Sequence, residues 1–396
     1  MSRQKVVDSM ITGTVSASKL DGALPAINGA NLTGVSDGVT KSSNDPALDT
    51  NPSGGVGTLW LNTTSGEMYC CTDATANANV WFNVGAGSDN VAPAYWYGNT
   101  GLIFAGMHTN SSYTNKIDQI DITTLGDATD FGGVVTQARR YIATMSTGSR
   151  VVCAGGIQGW SAFYNIIDYV TVASGADALD FGDQNAANGA ATGVSDTVRG
   201  CYVGNFDSAA PGATKIWYVT LATPGNAQDF NAEVQTAMYS GGGVNDSTRG
   251  IFAGGWRAGG PGAEGTAIDY ITIQTTGACN DFGDMNHGSR YCQGNTSDST
   301  RGVLMDQGEV IPHRHEYVTI QTTGNAVDFG DRNRLGFTGA CSGNGTRALE
   351  AGGWSMNPYN TLHYHIDYLT IQTLGNSQSF GELALYHGAA GGCSGD

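Results

Sequence analysis

The sequence predicts an all-β protein built from six repeated units, and two observations carry that prediction. A strand with its turn recurs almost verbatim, as IDYITIQTTG (268–277), YVTIQTTG (317–324) and IDYLTIQTLG (366–375). A phenylalanine follows each copy, and six such residues are spaced by 50, 49, 52, 47 and 51 positions: Phe131, Phe181, Phe230, Phe282, Phe329 and Phe380. Upstream, a second anchor keeps the same phase, a strand closing on glycine such as IFAGG (251–255). Repeats of this length are typical of propellers and solenoids.

Each unit contains four short strand candidates bounded by turn residues and no helical pattern. In the fourth unit they are YSGGGVND (239–246), RGIFAGG (249–255), AIDYITIQ (267–274) and CNDFGD (279–284). Four antiparallel strands every fifty or so residues correspond to one blade of a β-propeller. The first strand of each unit is rich in Gly, Ala, Ser and Cys, as strands converging on an axis require. The sequence therefore predicts a six-bladed propeller.

The two ends of the repeat array favour a closed ring over a solenoid. The first unit starts at its second strand, LIFAG (102–106), and the chain ends on GAAGGCSGD (388–396), a first strand without a successor. We expect the C-terminal strand to complete the first blade and remove the edge that an open array would expose. A solenoid would instead need polar caps at both ends.

The order of these strands resembles the kelch motif over roughly residues 100–396. The resemblance rests on the Gly pairs at 155–156, 254–255 and 352–353 and on the downstream aromatic residue, which is Phe here where the family has Trp. The first, third and fifth units lack the full Gly pair. The resemblance implies a kelch-like propeller with binding loops on a repetitive scaffold.

The first hundred residues have a different character. Within ASKLDGALPAINGANLTGV (17–35), apolar residues recur about every four and eight positions among Gly, Asn and Ser. So thin a segment cannot bury these side chains within its own chain, so it either packs against other copies or is a disordered leader. Residues 57–87 contain three strand candidates, TLWLN, EMYCC and VWFNVG. We expect three regions: a fibre or attachment segment (1–50), a small β-hairpin module (51–94) and the propeller (95–396).

These two N-terminal stretches resemble modules of bacteriophage tail fibres and virion proteins, in the order found there. The resemblance implies a homotrimer that attaches to other virion proteins through its N-terminus and binds a host-surface receptor, either glycan or protein, through its distal propeller. It also implies location in the virion after synthesis in the bacterial cytoplasm. Two alternatives stay open: a structural baseplate or tail component whose propeller binds another virion protein, and a glycan-cleaving spike.

Composition excludes several other classes of partner. The formal net charge is −17, from 35 acidic and 18 basic residues, and the basic residues do not cluster. Neither a nucleic-acid groove nor an anionic membrane surface is expected. We see no signal peptide or membrane anchor in the pattern of apolar residues. The eight cysteines form no disulfide pattern, and Cys292, Cys341 and Cys393 recur as small apolar residues of first strands.

Few residues indicate chemistry of their own. GPGAEG (260–265) fits GxGxxG but bridges two strands, so it is a loop and not a phosphate cradle. The pairs His313/His315 and His363/His365 could hold a metal ion, but no carboxylate or Cys recurs at a consistent spacing beside them. An Asp before the anchor Phe and an Arg at the start of the second strand repeat in most units, which favours a structural hydrogen-bonded pair. We therefore expect no enzyme, no cofactor and no metal.

Loop lengths predict which end of the propeller binds. The turns between strands one and two and between strands three and four are short and repetitive, whereas the loops between strands two and three are long and different in every unit. Variable loops on a repeated scaffold are where recognition usually resides. The candidate receptor-binding residues are Trp160, Trp256, Arg257, His313, His315, Trp354, Tyr359 and His363.

Overall fold

The computed structural model describes residues 38–395 except 85–97, 110–111, 160, 188, 190–191, 204–205, 208–209, 212, 258–264, 290–294, 299, 306–313, 335–338 and 356–360. Contacts divide the chain into two compact units, Met1–Pro93 and Ala94–Asp396. The segment 17–35, with its predicted association, lies outside the described residues. Among those described, no helix is long and apolar enough to cross a membrane.

The N-terminal unit contains one four-stranded sheet. Its strands, in spatial order, are β1 (Val39–Ser42), β2 (Leu59–Asn62), β3 (Met68–Asp73) and β4 (Val80–Asn83). β1 runs parallel to β2, and the other pairs are antiparallel. The strands β2, β3 and β4 fall on the three segments that the sequence indicated, whereas β1 was not anticipated, because VTKS carries no alternating apolar pattern.

The described residues of the second unit form six large sheets, numbered here sheet 1 to sheet 6 along the chain, and three small two-stranded sheets. The strands of sheets 1 to 3, and of the two-stranded sheets β10-β11 and β16-β17 between them, are β5 (Thr100–Thr109), β6 (Ser112–Asp121), β7 (Thr129–Val134), β8 (Ala143–Ser146), β9 (Arg150–Ala154), β10 (Ile157–Gln158), β11 (Ala162–Phe163), β12 (Ile166–Thr171), β13 (Leu179–Asp183), β14 (Thr192–Ser195), β15 (Arg199–Val203), β16 (Phe206–Asp207), β17 (Ala210–Pro211), β18 (Ala213–Thr220) and β19 (Gln228–Tyr239). A 3₁₀ turn, Val172–Ser174, follows β12.

The remaining strands form sheets 4 to 6 and the two-stranded sheet β31-β32, add β22 to the edge of sheet 3, and return to sheet 1. They are β20 (Gly242–Asn245), β21 (Arg249–Ala253), β22 (Trp256–Arg257), β23 (Gly265–Thr272), β24 (Asn280–Ser289), β25 (Asn295–Ser297), β26 (Arg301–Met305), β27 (Arg314–Thr319), β28 (Val327–Asp331), β29 (Ala340–Gly343), β30 (Arg347–Ala351), β31 (Trp354–Ser355), β32 (Thr361–Leu362), β33 (His365–Thr370), β34 (Gln378–Glu382) and β35 (Gly391–Gly395).

Every repeat forms a four-stranded antiparallel sheet, so the all-β class and the four strands per repeat are confirmed. The sheet orders are β35-β5-β6-β7, β8-β9-β12-β13, β14-β15-β18-β19-β22, β20-β21-β23-β24, β25-β26-β27-β28 and β29-β30-β33-β34, where β22 of the fourth repeat adds a fifth strand to sheet 3. The C-terminal strand pairs with the first strand of the unit from Gly391↔Phe104 to Gly395↔Thr100. The predicted return of the chain end to sheet 1 is therefore confirmed.

Backbone hydrogen bonds join the fourth strand of each sheet to the turn between the third and fourth strands of the next. In sheets 2 and 3, for example, Gly225 donates its N–H to Phe181 O at 2.7 Å. The equivalent bonds run from Gly277 to Phe230, Gly324 to Phe282, Gly375 to Phe329 and Gly126 to Phe380, whereas sheets 1 and 2 are joined by the bond from Ala178 to Val134, the counterpart of the bond from Ala227 to Asp183. The anchor phenylalanines of the repeat therefore mark the strand that bonds to the neighbouring sheet, and the sixth sheet bonds to the first.

The first strands of the six sheets contact one another in sequence, and β35 contacts both β8 and β29. Their backbones approach so closely that side chains are excluded at several points. A Cβ at Gly193 would collide with the carbonyl oxygen of Thr144, and one at Gly392 with that of Cys341. Polar side chains also link these strands, as where Ser146 Oγ donates to Ser394 O at 2.8 Å. The small residues predicted for converging strands are required by this packing.

Among the described residues of the second unit, the hydrophobic core comprises six large clusters, each with residues of two consecutive sheets, and a small seventh cluster of Tyr141, Ile157 and Ala389. One cluster joins sheets 1 and 2 through Phe104 and Val151, and another joins sheets 6 and 1 through Leu349 and Ile103. Both faces of each sheet are consequently covered, which explains why second strands such as RVVCA (150–154) and RGVLM (301–305) are buried at consecutive positions rather than at alternating ones.

The cysteines of the first strands behave as buried apolar residues. Cys341 is buried in β29, and burial raises the pKa of the Cys393 thiol in β35 to about 12. Cys292 lies outside the described residues. The seven described cysteines are free thiols.

Candidate functional site

The antiparallel order gives each of sheets 1 to 6 two different ends. We call the end with the turns between strands one and two and strands three and four the turn end. The other end, with the loops between strands two and three and the links to the next sheet, is the connection end. The two ends differ in how their residues are used.

At the turn end, one set of contacts repeats from sheet to sheet. The Arg that starts the second strand donates Nη1 to a carbonyl oxygen of the next sheet, as Arg249 does to Ile320 O at 2.7 Å. The same Arg lies over the Tyr of its own third strand, here Tyr270 at 4.4 Å, and that Tyr packs edge-on against the anchor Phe282. The equivalent bonds run from Arg150 to Leu221, Arg199 to Ile273, Arg301 to Ile371 and Arg347 to Ile122.

These arginines are structural, as predicted, but their partners are not the Asp residues before the anchor phenylalanines. Asp229, for example, accepts the N–H of Asn231 and pairs with Lys215 at 3.4 Å. The prediction of a repeated Arg–Asp pair is therefore wrong. The guanidinium reaches across the interface to the next sheet, where a carbonyl left over at the end of a strand needs a donor.

A second repeated contact at the turn end involves acidic residues of the short turns. Asp196 Oδ1 accepts two backbone N–H groups of its own turn, and its Oδ2 accepts Gln274 Nε2 of the next sheet at 2.7 Å. Gln321 bonds in the same way to Asp246. A cavity of about 230 Å³ between sheets 3 and 4 is lined by these turns. Because its polar groups repeat as joints between sheets, this cavity is better explained by assembly of the sheets than by a ligand.

At the connection end, buried acids replace the repeated arginines. The third strands of five sheets carry an acid directly before the Tyr or Gln position, and these side chains are at most 4% exposed: Asp118, Asp168, Asp269, Glu316 and Asp367. Asp168 accepts Arg139 Nη2 at 2.6 Å and also Thr136 Oγ1 at 2.6 Å, both from the link that enters its sheet. Each link uses different donors.

The other acids show the same principle with other partners. Asp118 accepts the N–H groups of Ala384 and Leu385, and its Oδ1 lies 3.5 Å from His387 Nε2. Glu316 accepts His287 Nδ1 at 3.1 Å. Buried carboxylates need such partners, because an unpaired charge in the interior is costly. The buried acids therefore fix the chain at the end of the sheets where the variable loops between strands two and three also lie.

The structure describes only some of the predicted receptor-binding residues, and these differ in their exposure to solvent. Trp160, His313 and Tyr359 lie outside the described residues, and for Trp256 and Arg257 only the backbone is described, as β22 paired with β19. His315 is 1% exposed and lies in the interior between sheets. The other two described residues, Trp354 and His363, are partly exposed at the connection end of sheet 6.

Trp354 and His363 flank the base of one loop, and three further rings lie close to His363. Tyr364 and Tyr386 meet edge to face at 5.4 Å, and His365 lies 4.7 Å from Tyr364 and 6.4 Å from His363. His108 of β5 reaches Tyr386 at 6.5 Å. We call these five rings, His108, His363, Tyr364, His365 and Tyr386, the aromatic cluster. Three chain segments contribute to it because the link after sheet 6 passes into sheet 1.

Polar groups surround the aromatic cluster. Arg332 pairs with Glu350 at 2.6 Å, and Arg334 lies 3.5 Å from Asp367. Desolvation lowers the pKa of His363 from 6.5, and the nearby Arg332, His365 and Arg334 lower it further. His363 is therefore neutral at pH 7 and offers a hydrogen-bonding ring rather than a charge. Half-exposed tyrosines near the neutral imidazole of His363 suit a partner with both apolar faces and hydroxyl groups.

Sequence reasoning found His363 and missed Tyr386 and His108. Tyr386 is 38% exposed and follows the last strand of sheet 6, in a link too short to stand out as a variable loop. The HYH triplet at 363–365 was the one available signal, since it places two rings on one face of a strand start. Among the described residues, no group of three His, Cys, Asp or Glu side chains is placed to hold a metal ion.

Comparison with known proteins assigns neither a family nor a function to this chain. No protein-family model matches the sequence, and no curated protein is significantly similar to it.

Proposed function

We propose that the six sheets are the blades of one closed, kelch-like six-bladed β-propeller. The support is the cyclic sequence of contacts: six hydrophobic clusters, six joints between consecutive sheets, and a first strand of sheet 1 supplied by the chain end. A ring with a C-terminal closing strand leaves no sheet edge open to aggregation.

The connection end of this propeller is the binding surface. The single observation that carries this proposal is the contrast between the ends: the turn end repeats one set of joints, whereas the connection end has individual links and presents the partly exposed aromatic cluster beside Trp354. Trp and Tyr dominate binding hot spots because they bury a large area at little cost in torsional freedom, and aromatic faces also stack on sugar rings.

The whole chain is a bacteriophage tail-fibre or other virion adhesin that binds a host-surface receptor, glycan or protein, and it is not an enzyme. The resemblance of residues 17–35 and 57–87 to phage modules supports the virion role, a homotrimer and attachment to other virion proteins through the N-terminus. A structural baseplate or tail component is the second candidate, since the same surface could bind a virion protein. A glycan-cleaving spike is the third.

The test is binding of the fluorescently labelled full-length protein to a panel of bacterial cells. An adhesin stains its host cells, whereas an assembly component leaves every strain dark and instead is retained by virion proteins. Release of reducing sugars from envelope polysaccharide would favour the spike and contradict the proposal. Antibody against residues 100–396 should decorate the distal end of the tail or fibre.

Variants at the two ends of the sheets locate the surface. Tyr386→Ala, Trp354→Ala, Trp160→Ala and the double change Trp256→Ala/Arg257→Ala should each weaken host binding by about 1–3 kcal/mol while thermal stability stays nearly unchanged. Thr276→Ala and Asn325→Ala at the turn end are matched controls and should leave binding unchanged. Loss of binding in the controls alone would mean that the surface is the turn end.

A further inference from the structure

The N-terminal sheet has one covered face and one apolar face that is open to solvent. On the covered face, Tyr69, Cys71 and Trp81 are fully buried, and Trp60 packs edge-on against Trp81 at 5.8 Å. These residues form a hydrophobic cluster that accounts for the core of this unit. The opposite face would ordinarily be polar in a sheet with one side in water.

The opposite face is instead two rows of apolar side chains across β2, β3 and β4. Pairing aligns Leu59 with Cys70 and Cys70 with Phe82, and it aligns Leu61 with Met68, beside which Val84 donates its N–H to Met68 O at 2.8 Å. Phe82 is 53% exposed, Val84 56% and Met68 37%, whereas the remaining three are half-buried. We call these six residues, Leu59, Leu61, Met68, Cys70, Phe82 and Val84, the apolar face.

We infer that the apolar face packs against the same face of other copies of this chain, so that the interface between copies continues from the first residues through the N-terminal sheet. This inference rests on the proposed homotrimer and names a surface that holds it together. An exposed contiguous apolar patch rimmed by polar residues marks an interaction site.

Two features identify copies of this chain as the occupant. The segment with the apolar pattern of residues 17–35 ends four positions before β1, so copies that associate there bring their N-terminal sheets within a few residues' reach of one another. The chain also carries a net charge of −17, so copies repel one another except across surfaces without negative charge; the six residues of the apolar face carry no charge, and Lys41 of β1, aligned with Leu61, is basic. A unit this small gains stability from the additional burial.

Mutations on the face test the inference in the full-length protein by light scattering and sedimentation. Met68→Glu/Phe82→Glu should raise the dissociation constant of the oligomer about a hundredfold or more, because charges would be buried between copies. Val56→Glu is the matched control: Val56 is 65% exposed but lies in the turn before β2, and its substitution should leave the oligomer intact. Added salt should strengthen the wild-type association, since it screens the repulsion and favours apolar burial.

Cys70 provides a second readout that does not depend on folding of a variant. In the wild-type oligomer a short bismaleimide should link Cys70 of neighbouring copies, and Cys70→Ser should abolish that product. An oligomer that survives Met68→Glu/Phe82→Glu without a Cys70 cross-link would overturn this inference and leave the trimer intact. A full-length monomer would overturn both. Protection of Cys70 from maleimide in dilute monomer would show that another part of the same chain covers the face, which also overturns the inference.

Discussion

The two ends of the six sheets solve the same problem with different chemistry. At the turn end, consecutive sheets are joined by one repeated device, an Arg that lies over a Tyr and donates to a carbonyl of the next sheet. At the connection end, a buried acid recurs, but the donors that satisfy it are Arg139 in one link, backbone N–H groups in another and His287 near the end of β24 in a third case. Repetition of the acid with variation of its partner lets each link take its own course and still be fixed at one point.

This difference indicates where the sequence can change without loss of the fold. A turn-end joint contributes the same bond five times, so altering one weakens one interface. A connection-end joint fixes a link whose sequence differs from those of the other links. Altering this joint therefore affects both the interface between two sheets and the surface at that end. Variants at the two ends should therefore differ in their effects, and the largest effect is expected at the pairing of β35 with β5.

Removal of residues 386–396 should have the largest effect. It deletes β35, and with it the pairing to β5, the Ser394 bond to Gly343 O and the His387 contact to Asp118. We expect the melting temperature to fall by about 10 °C or more, or folding to fail, because β5 becomes an open edge beside exposed core. A chain that lacks only Asp396 is the control. An unchanged melting temperature after the longer deletion would show that sheet 1 is completed otherwise, for instance by residues 94–98.

The next effect concerns the connection end. Asp168→Ala leaves Arg139 buried at 0% exposure without its carboxylate, and the free energy of unfolding should fall by about 3–5 kcal/mol. Asp168→Ala/Arg139→Met removes both charges and should recover part of that loss. Urea unfolding of the two variants measures this directly. Equal stability of Asp168→Ala and wild type would mean that the ion pair does not hold the link.

These acids show how far the sequence could predict the fold and the site. The period, the four strands per repeat and the closing strand follow from spacing and from small residues, because both have direct geometric consequences. The acid in IDYITIQ stands in the quoted repeat itself, yet its burial could not be predicted, since its donors come from links of no constant sequence. The aromatic cluster was missed for a related reason: His108 and Tyr386 meet only because the chain end returns to sheet 1.

At the turn end, one interruption of the repeated joint should have a moderate effect. Arg249→Ala removes one charged hydrogen bond and one cation–π contact, and we expect about 1–2 kcal/mol of destabilisation in urea unfolding. Sheet 1 has Thr100 and Gln119 where the other sheets have Arg and Tyr. Thr100→Arg/Gln119→Tyr should therefore add a joint and stabilise the protein by up to about 1 kcal/mol. Destabilisation by the double change would mean that sheets 1 and 2 meet in a different geometry.

The smallest expected effect is a pH dependence confined to the connection end of sheet 6. The pKa of His363 is lowered from 6.5 by desolvation and then by Arg332, His365 and Arg334, so the unfolded chain binds this proton more readily than the folded one. Above about pH 6.5 this histidine does not lower the free energy of unfolding, because it is neutral in both the folded and the unfolded chain. As the pH drops from there through the lower pKa of the folded state, the free energy of unfolding falls. His363→Gln should flatten this part of the profile, whereas Arg249→Ala at the turn end should shift the whole profile down without changing its slope. Urea midpoints at several pH values between 5 and 8 separate the two behaviours, and parallel profiles for wild type and His363→Gln would show that the imidazole is as easily protonated in the folded protein as in the unfolded chain.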